Sequence, residues 1–268
     1  MEDVVRQSGV GSRVQTGEEF LESLRDGRTL WSYGERVDDV TAHPGFRNSA
    51  RSLAELYDAM HAPETFDTLN APTDTGSGGT THPFFKVAYS RDDLRASRDA
   101  IRCWQEHVFG WMGRTPDYKA SLITTLGDNP EYFGEYAENA RFWYREVQER
   151  VLHLGHAIVN PPVDRSLPID QSKDVFVHVD RETDSGLVVS GAKVVATGAA
   201  LTQYVYVSHI GPRAPKEFAL IFMAPVNAPG VKLYSRQSYE FAAAAAATPF
   251  DYPLSSRFDE NDAILVFD

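Results

Sequence analysis

An arginine and a tyrosine lie four residues apart in the segment Arg114-Thr115-Pro116-Asp117-Tyr118. Together they could bind a developing anionic oxygen, because a guanidinium is a permanent cation and a phenol can donate a hydrogen bond. Pro116 fixes the local turn, so the segment by itself predicts the start of a helix. An arginine beside acidic residues is also commonly half of a surface ion pair. The residue types alone leave both interpretations open.

Two histidines, His153 and His156, lie three residues apart at the predicted end of a helix. Imidazoles at this spacing can face the same way, as metal ligands do, but no H-E-x-x-H motif accompanies them. We therefore predict no metal site. On residue type alone, His156 is expected to be a capping or core residue.

Two further patterns are shared with catalytic or nucleotide-binding proteins. The S-x-x-K string at Ser190-Gly191-Ala192-Lys193 is found in serine acyl-enzymes, but that chemistry needs the serine at a helix start. Here the string lies between the alternating apolar runs 187–189 and 194–196, which predict a β-hairpin. The glycine-rich segments 9–11 and 76–79 do not lie between a strand and a helix, so neither indicates a nucleotide-binding loop.

The composition is that of a globular protein. With 268 residues, of which 42% are hydrophobic and 12% aromatic, the chain can bury a sizeable core in one large or two modest domains. A net charge of -12 opposes binding to nucleic acid. Cys103 is the only cysteine, which excludes an internal disulfide and suits a reducing compartment. Without an apolar leader or a membrane-length run, we expect a cytoplasmic protein.

The first half of the chain has the periodicity of helices. Apolar stripes and capping residues predict helices over about 16–27, 50–61, 91–111 and 130–154. The Gly-, Ser- and Thr-rich segment 71–81 is predicted to be a flexible polar loop. These patterns predict a helical amino-terminal domain over residues 1–157.

The second half has the alternation typical of strands. Period-two and short apolar runs predict strands over 174–180, 186–197, 203–209 and 217–225. The six alanines at 242–247 favour a helical or irregular surface turn. The final residues 263–268 resemble a strand that stops without a cap, so we expect further sequence beyond them. Residues 158–268 are thus predicted to form an antiparallel, barrel-like β-domain.

Four segments of the sequence, taken together, resemble a known protein family, although no single motif above does so. They are residues 110–118, 155–166, 181–197 and 249–263. Their order and spacing resemble those of the oxygenase components of 4-hydroxyphenylacetate 3-monooxygenases, which are two-component, reduced-flavin-dependent phenol ortho-hydroxylases. The resemblance extends from about residue 16 to residue 268.

The resemblance implies an acyl-CoA-dehydrogenase-like α+β fold. Proteins of this family have a helical amino-terminal domain, a middle β-domain and a carboxy-terminal helical bundle. The bundle helps to enclose the flavin and builds a homotetramer. We expect this chain to contain the first two domains and to lack the bundle.

The resemblance also implies an activity. In the family, a separate NAD(P)H flavin reductase supplies FADH2, which reacts with O2 and delivers oxygen ortho to a phenol hydroxyl, giving a catechol. FMN is a possible alternative to FAD. The expected substrate is 4-hydroxyphenylacetate or a tyrosine-derived phenol on a carrier.

Residue roles follow by matching positions within the motifs. Arg114 and Tyr118 correspond to residues that bind the phenol, and His156 to one that binds substrate close to the reactive carbon of the flavin; all three are expected to be catalytic. Composition, not motif matching, makes the Gly- and Pro-rich loop from Ser208 and His209 to Pro215 a candidate substrate lid or a plain surface connection. Besides His156, the expected flavin contacts are Pro162, Val163, Asp164, Arg165, Asp170, Gln171 and Thr197.

Two other functions remain open at this point. An acyl-CoA-dehydrogenase-like flavoprotein would keep oxidised FAD bound and need a carboxylate base, and the Arg114, Tyr118 and His156 set argues against it. A truncated, inactive fragment would act only as a folding or interaction module, with an exposed apolar face that favours self-association.

Overall fold

A computed structural model describes residues 13–163, 166, 168, 171, 174–209 and 214–268 of the chain. The chain divides into two compact units, each built from several segments. The described residues of the first unit fall within 1–20, 54–110 and 115–152, and those of the second unit fall within 21–53, 111–114 and 153–268. In the described part of the chain, no helix has both the length and the apolar character needed to cross a bilayer.

Helices dominate the first unit and its borders. The helices predicted over 16–27, 91–111 and 130–154 occur with shorter bounds, and the helix predicted over 50–61 is shifted to 47–59. Helix α4, Arg91–His107, begins at a capping box in which Ser90 and Asp93 bond each other's backbone amides. Short 3₁₀ turns cover Pro83–Phe85, Pro116–Lys119 and Pro130–Tyr136. The α-helices are α1 Gly17–Ser23, α2 Arg47–Ala59, α3 Phe66–Leu69, α4 Arg91–His107, α5 Ala120–Asp128, α6 Ala137–Arg150 and α7 Tyr239–Ala246.

Aromatic side chains form the core of the first unit. Tyr57 stacks on Phe20 with ring centroids 4.9 Å apart, and both are fully buried. Each buried polar tip has a partner: the Tyr57 hydroxyl donates to the Val151 carbonyl at 2.8 Å, and the Trp104 indole N–H donates to the Leu56 carbonyl at 2.9 Å. These bonds remove the cost of burying polar atoms in an apolar core.

The segment predicted as a flexible loop is a short hairpin fixed to α6. Strands β3 Ala71–Pro72 and β4 Thr80–Thr81 pair in antiparallel fashion. Between them, the Asp74 carboxylate accepts hydrogen bonds from the Tyr144 hydroxyl at 2.8 Å and from the Gln148 amide at 2.8 Å. The composition indicated a turn correctly, but it could not reveal these long-range partners.

The second unit contains a six-stranded and a three-stranded sheet. In order, the larger sheet is β2-β1-β10-β11-β7-β6 and the smaller is β5-β8-β9. Most neighbours are antiparallel, as predicted, but β1 pairs with β10 and β5 with β8 in parallel. The strands are β1 Thr29–Ser32, β2 Glu35–Val37, β5 Leu154–Ala157, β6 His178–Thr183, β7 Gly186–Thr197, β8 Tyr204–Ser208, β9 Ile221–Pro225, β10 Val231–Ser235 and β11 Asp262–Phe267.

A hairpin near the start of the chain was not predicted. Strands β1 and β2 are joined by Tyr33 and Gly34, which have φ values of 50° and 87°. Two positive φ angles define the turn that matches the twist of a two-residue hairpin. Strand β1 pairs with β10, and residues 21–53 belong to the second unit. The domain boundary at residue 157 stays a prediction.

The helix predicted to run to residue 154 ends earlier. Helix α6 ends at Arg150, and Val151 adopts a left-handed conformation with a φ of 51°. The placement of His153 and His156 at a helix end is therefore wrong. His153 follows the turn, and His156 lies in strand β5.

Candidate functional site

Arg114 is held at its backbone by two side chains of the second unit. Its amide donates to the Glu260 carboxylate, and its carbonyl oxygen lies 3.2 Å from His153 Nε2. The Arg114 guanidinium is half-buried, with Nη1 3.9 Å from Glu260 Oε2. The backbone of Arg114 is therefore fixed, while its guanidinium remains partly exposed to solvent.

His153 is a buried positioning residue. Its Nδ1 lies 3.1 Å from the Leu201 carbonyl oxygen, and its backbone amide donates to Gln203. Burial lowers the pKa of His153 to about 4, against the opposing effect of the Arg114 and Leu201 carbonyls. Among the described residues, no group of three or more His, Cys, Asp and Glu side chains could hold a metal ion.

Glu260 is largely buried. Burial raises the pKa of the Glu260 carboxyl, and hydrogen bonding to the Arg114 and Gly113 amides works in the opposite direction. Burial disfavours the charged form of the Glu260 carboxylate, and the hydrogen bonds from the two backbone amides offset part of that cost. Glu260 and Arg114 therefore stabilise each other's position.

His156 lies in the three-stranded sheet, in register with Tyr206 of β8. It is half-buried between the fully buried positions 155 and 157. The preceding Gly155 lets β5 approach Thr202, because a Cβ atom at Gly155 would lie only 3.2 Å from the Thr202 hydroxyl oxygen. The close approach of β5 to Thr202 therefore depends on a glycine next to His156.

Thr197 lies at the end of β7, opposite Asp262 of β11. Its hydroxyl donates to Asp262 Oδ1 at 2.6 Å, and the residue is half-buried. A bulge precedes it: Val195 has a φ of 57°, and the register shifts between Ala263 and Leu265. The bulge adds one residue to β7, so the buried face continues from Lys193 to Ala196 and not to Val195. Thr197 consequently lies on the opposite face from the one that unbroken alternation would give it.

The segment Asp259-Glu260-Asn261-Asp262, here called the acidic segment, contacts both Arg114 and Thr197. It is itself anchored by Arg236, which donates to Asp259 Oδ1 at 2.8 Å and to Asp262 Oδ2 at 3.4 Å. The amide of Gly198 donates to the carbonyls of Glu260 and Asn261. In the sequence, this string contributed only to the resemblance. Three carboxylates in four residues were the signal that it positions other groups.

Lys193 supports the chain just before Pro162 and Val163. Its Nζ donates to the Ile158 carbonyl at 3.1 Å and to Asn160 Oδ1 at 2.7 Å. Burial lowers the pKa of Lys193 to about 8. The S-x-x-K string lies inside strand β7, so Ser190 is not at the helix start that an acyl-enzyme serine needs.

The other expected flavin contacts are only partly described. Pro162 is exposed, and Val163 is half-buried with its amide bonded to the Pro161 carbonyl at 3.0 Å. Gln171 is exposed, and its amide bonds the Pro168 carbonyl at 3.0 Å. Asp164, Arg165 and Asp170 lie outside the described residues.

The two residues expected to begin a substrate lid lie at the end of β8. Ser208 is buried and in register with Ile221, and His209 follows it in a half-buried position. Residues 210–213 of the expected lid lie outside the described residues. The lid role stays a prediction.

Tyr118 belongs to the first unit, in the 3₁₀ turn Pro116–Lys119 that leads into α5, as the predicted helix start requires. Its side chain is exposed, and the Lys119 Nζ lies 4.6 Å from the ring centroid. The adjacent Asp117 is buried and accepts a hydrogen bond from the Thr115 hydroxyl. Burial raises the pKa of Asp117 to about 6, with the Thr115 bond opposing the rise.

Comparison with known proteins identifies a family. Residues 16–268 match the family model described as the 4-hydroxyphenylacetate 3-hydroxylase N terminal. The 4-nitrophenol 2-monooxygenase oxygenase component of a Rhodococcus species is 62% identical over 256 residues. The 4-hydroxyphenylacetate 3-monooxygenase oxygenase component of Escherichia coli is 59% identical over 259 residues. The resemblance inferred from the four segments is confirmed.

A solved structure has the same fold. The oxygenase component of a 4-hydroxyphenylacetate 3-monooxygenase complexed with FAD superposes with a TM-score of 0.86 at 34% identity, over 95% of this chain. The predicted fold class is confirmed. The chain covers 49% of the Rhodococcus protein, 50% of the Escherichia coli protein and 53% of the solved chain, so it spans about half the length of each.

Proposed function

Because the chain belongs to the 4-hydroxyphenylacetate 3-hydroxylase family, we propose that it forms part of the oxygenase component of a two-component aromatic monooxygenase. The enzyme uses FADH2 and O2 to hydroxylate a phenol ortho to its hydroxyl, and the product is a catechol. The family match over residues 16–268 is the observation that carries this proposal.

The names of the two relatives support the position of hydroxylation. One protein acts at position 2 of 4-nitrophenol and the other at position 3 of 4-hydroxyphenylacetate. In both molecules that carbon is next to the one bearing the hydroxyl. The proposed substrate is accordingly a para-substituted phenol, either free or derived from tyrosine and attached to a carrier.

The second unit has side chains that suit a flavin. Arg114, His156 and Thr197 are half-buried, so each is partly enclosed by its surroundings and partly exposed. FAD is the proposed cofactor, because the solved relative is complexed with FAD, and FMN is the alternative. Thr197, Pro162, Val163 and Gln171 would contact it, together with Asp164, Arg165 and Asp170. Bound reduced flavin would supply the two electrons that activate O2, and the protein must shield that chemistry from water.

The protein's own contribution is charge stabilisation and orientation. Arg114 stabilises the phenolate oxygen, and Tyr118 donates a hydrogen bond to the substrate. His156 donates to substrate and to the oxygen that is transferred. A preorganised donor in a dry site is worth about 3 kcal/mol of transition-state stabilisation. Ser208 and His209 begin the segment that closes over the phenol.

The remaining proposals concern the assembled protein. A separate NAD(P)H-dependent reductase supplies the reduced flavin, and the enzyme assembles as a homotetramer in the cytoplasm. Residues 1–157 form the helical domain and residues 158–268 the β-domain of that assembly.

NADH-driven turnover tests the proposed function. The chain is mixed with a flavin reductase, FAD and 4-hydroxyphenylacetate, and products are read by mass. We expect a catechol that is lost in His156→Ala and kept in His107→Ala, a matched change at an exposed histidine. Absence of both catechol and FADH2 binding would contradict the proposal and favour an inactive fragment. Oxidation of an acyl-CoA with FAD retained would favour the dehydrogenase alternative.

A further inference from the structure

The hydrogen bond between Thr197 and Asp262 fixes the direction of the Thr197 proton. A carboxylate has no hydrogen to give, so the 2.6 Å contact requires the Thr197 hydroxyl to donate to Asp262 Oδ1. Arg236 Nε donates to the other oxygen, Asp262 Oδ2, at 3.4 Å. What Thr197 can offer a ligand is therefore its lone pairs.

An oxygen that offers only lone pairs distinguishes the two redox states of a flavin. Reduction adds hydrogen to ring nitrogens that are bare acceptors in the oxidised ring. A ring N–H can donate to Thr197, whereas a bare ring nitrogen would meet another acceptor. Such a mismatch leaves a polar group without a partner, which costs more than a hydrogen bond gains.

We infer that Asp262 holds Thr197 as a hydrogen-bond acceptor and thereby makes the flavin site favour the reduced cofactor over the oxidised one. This inference rests on the proposed function, because it takes Thr197 as a flavin contact. Asp262 is then a positioning residue. A preference for reduced flavin suits an enzyme that must take reduced flavin from a reductase and release it after oxidation.

Anaerobic equilibrium titration tests the inference without turnover. The full chain is titrated with FAD and with dithionite-reduced FAD, as the unaltered protein and as Asp262→Asn, Thr197→Val and the double variant. We expect the unaltered chain to prefer the reduced form. Asp262→Asn, whose amide can donate to Thr197, should lower that preference roughly five- to tenfold, the size of one hydrogen bond. Thr197→Val should do the same, and the double variant should lose no more.

Controls separate positioning from general damage. Asp184→Asn changes an exposed aspartate in the same unit and should leave the preference intact. Thr197→Ser retains the hydroxyl and should retain the preference, which keeps the test valid if Asp262→Asn does not fold. By linkage, a tenfold loss of preference also lowers the midpoint potential of the bound flavin by about 30 mV.

The outcomes are distinct. An unchanged preference in Asp262→Asn, or an equal further loss in the Thr197→Val background, would overturn the inference. Equal binding of FAD and reduced FAD by the unaltered chain would overturn it while leaving the proposed function in place. Binding of neither form would overturn the proposed flavin site and the inference together.

Discussion

Glu260 accepts a hydrogen bond from the backbone amide of Arg114, and its other carboxylate oxygen lies 3.9 Å from the Arg114 guanidinium. Glu260→Ala should lower the free energy of unfolding by about 1 to 3 kcal/mol, because buried amide donors lose their acceptor. Glu260→Gln keeps an acceptor and avoids a buried charge, so it should change stability by less than about 1 kcal/mol. Urea denaturation measures both, and equal losses in the two variants would contradict this account.

Lys193 is expected to order residues 158–160, to which its side chain donates two hydrogen bonds. Lys193→Met keeps most of the side-chain volume but removes the donors to Ile158 and Asn160. We expect faster amide hydrogen exchange over 158–160 and several-fold weaker binding of reduced FAD. The exposed Lys216 provides the control Lys216→Met, which should change neither. Unchanged exchange in Lys193→Met would show that the two hydrogen bonds do not order the segment.

The raised pKa of Asp117 predicts that the stability of the fold depends on pH. Its pKa rises from an ordinary value near 3.8 to about 6 on folding, so its favourable contribution is complete below about pH 4 and is lost as the pH rises to about 6. Asp117→Asn keeps an acceptor for Thr115 without the charge. Above pH 7 it should be more stable than the unaltered chain by on the order of 2 to 3 kcal/mol. The gain should vanish near pH 4, and the exposed Asp67→Asn should show no such trend.

Tyr57 and Tyr132 allow one chemical change to be compared in two environments. Tyr57→Phe removes a buried hydroxyl that donates to the Val151 carbonyl at 2.8 Å. It should cost about 1 to 2 kcal/mol of unfolding free energy, because that carbonyl stays buried. Tyr132, which is 82% exposed, should tolerate the same change with almost no loss. Thermal melts of both variants measure the difference, and equal shifts would contradict it.

The helices were predictable because their signals are local. Apolar spacing located α2, α4 and α6, and the Ser90–Asp93 box fixed the start of α4 within the chain's own sequence. The end of α6 was misplaced, because Val151 adopts a left-handed conformation that a β-branched residue rarely takes. As a result, His153 and His156 were wrongly predicted to lie at the end of a helix.

The candidate site was less predictable because its supports are distant in sequence. Arg114 depends on Glu260, and Thr197 depends on Asp262 and on a bulge at Val195. No periodicity within β7 indicates the bulge, and the pairing that creates it involves β11. Motif resemblance supplied the candidate residues, while their positioning partners required the fold.

The parallel pairing of β1 with β10 has a consequence for synthesis of the chain. Strand β1 leaves the ribosome long before β10 exists, and β10 is the neighbour that pairs Leu30 with Leu233. During that interval the β1–β2 hairpin has an unpaired edge, which is open to wrong partners. Contacts between such distant segments also slow folding. A nascent chain halted before residue 231 should therefore aggregate more readily than one released after residue 268, and chaperone dependence should fall sharply once β10 and β11 emerge.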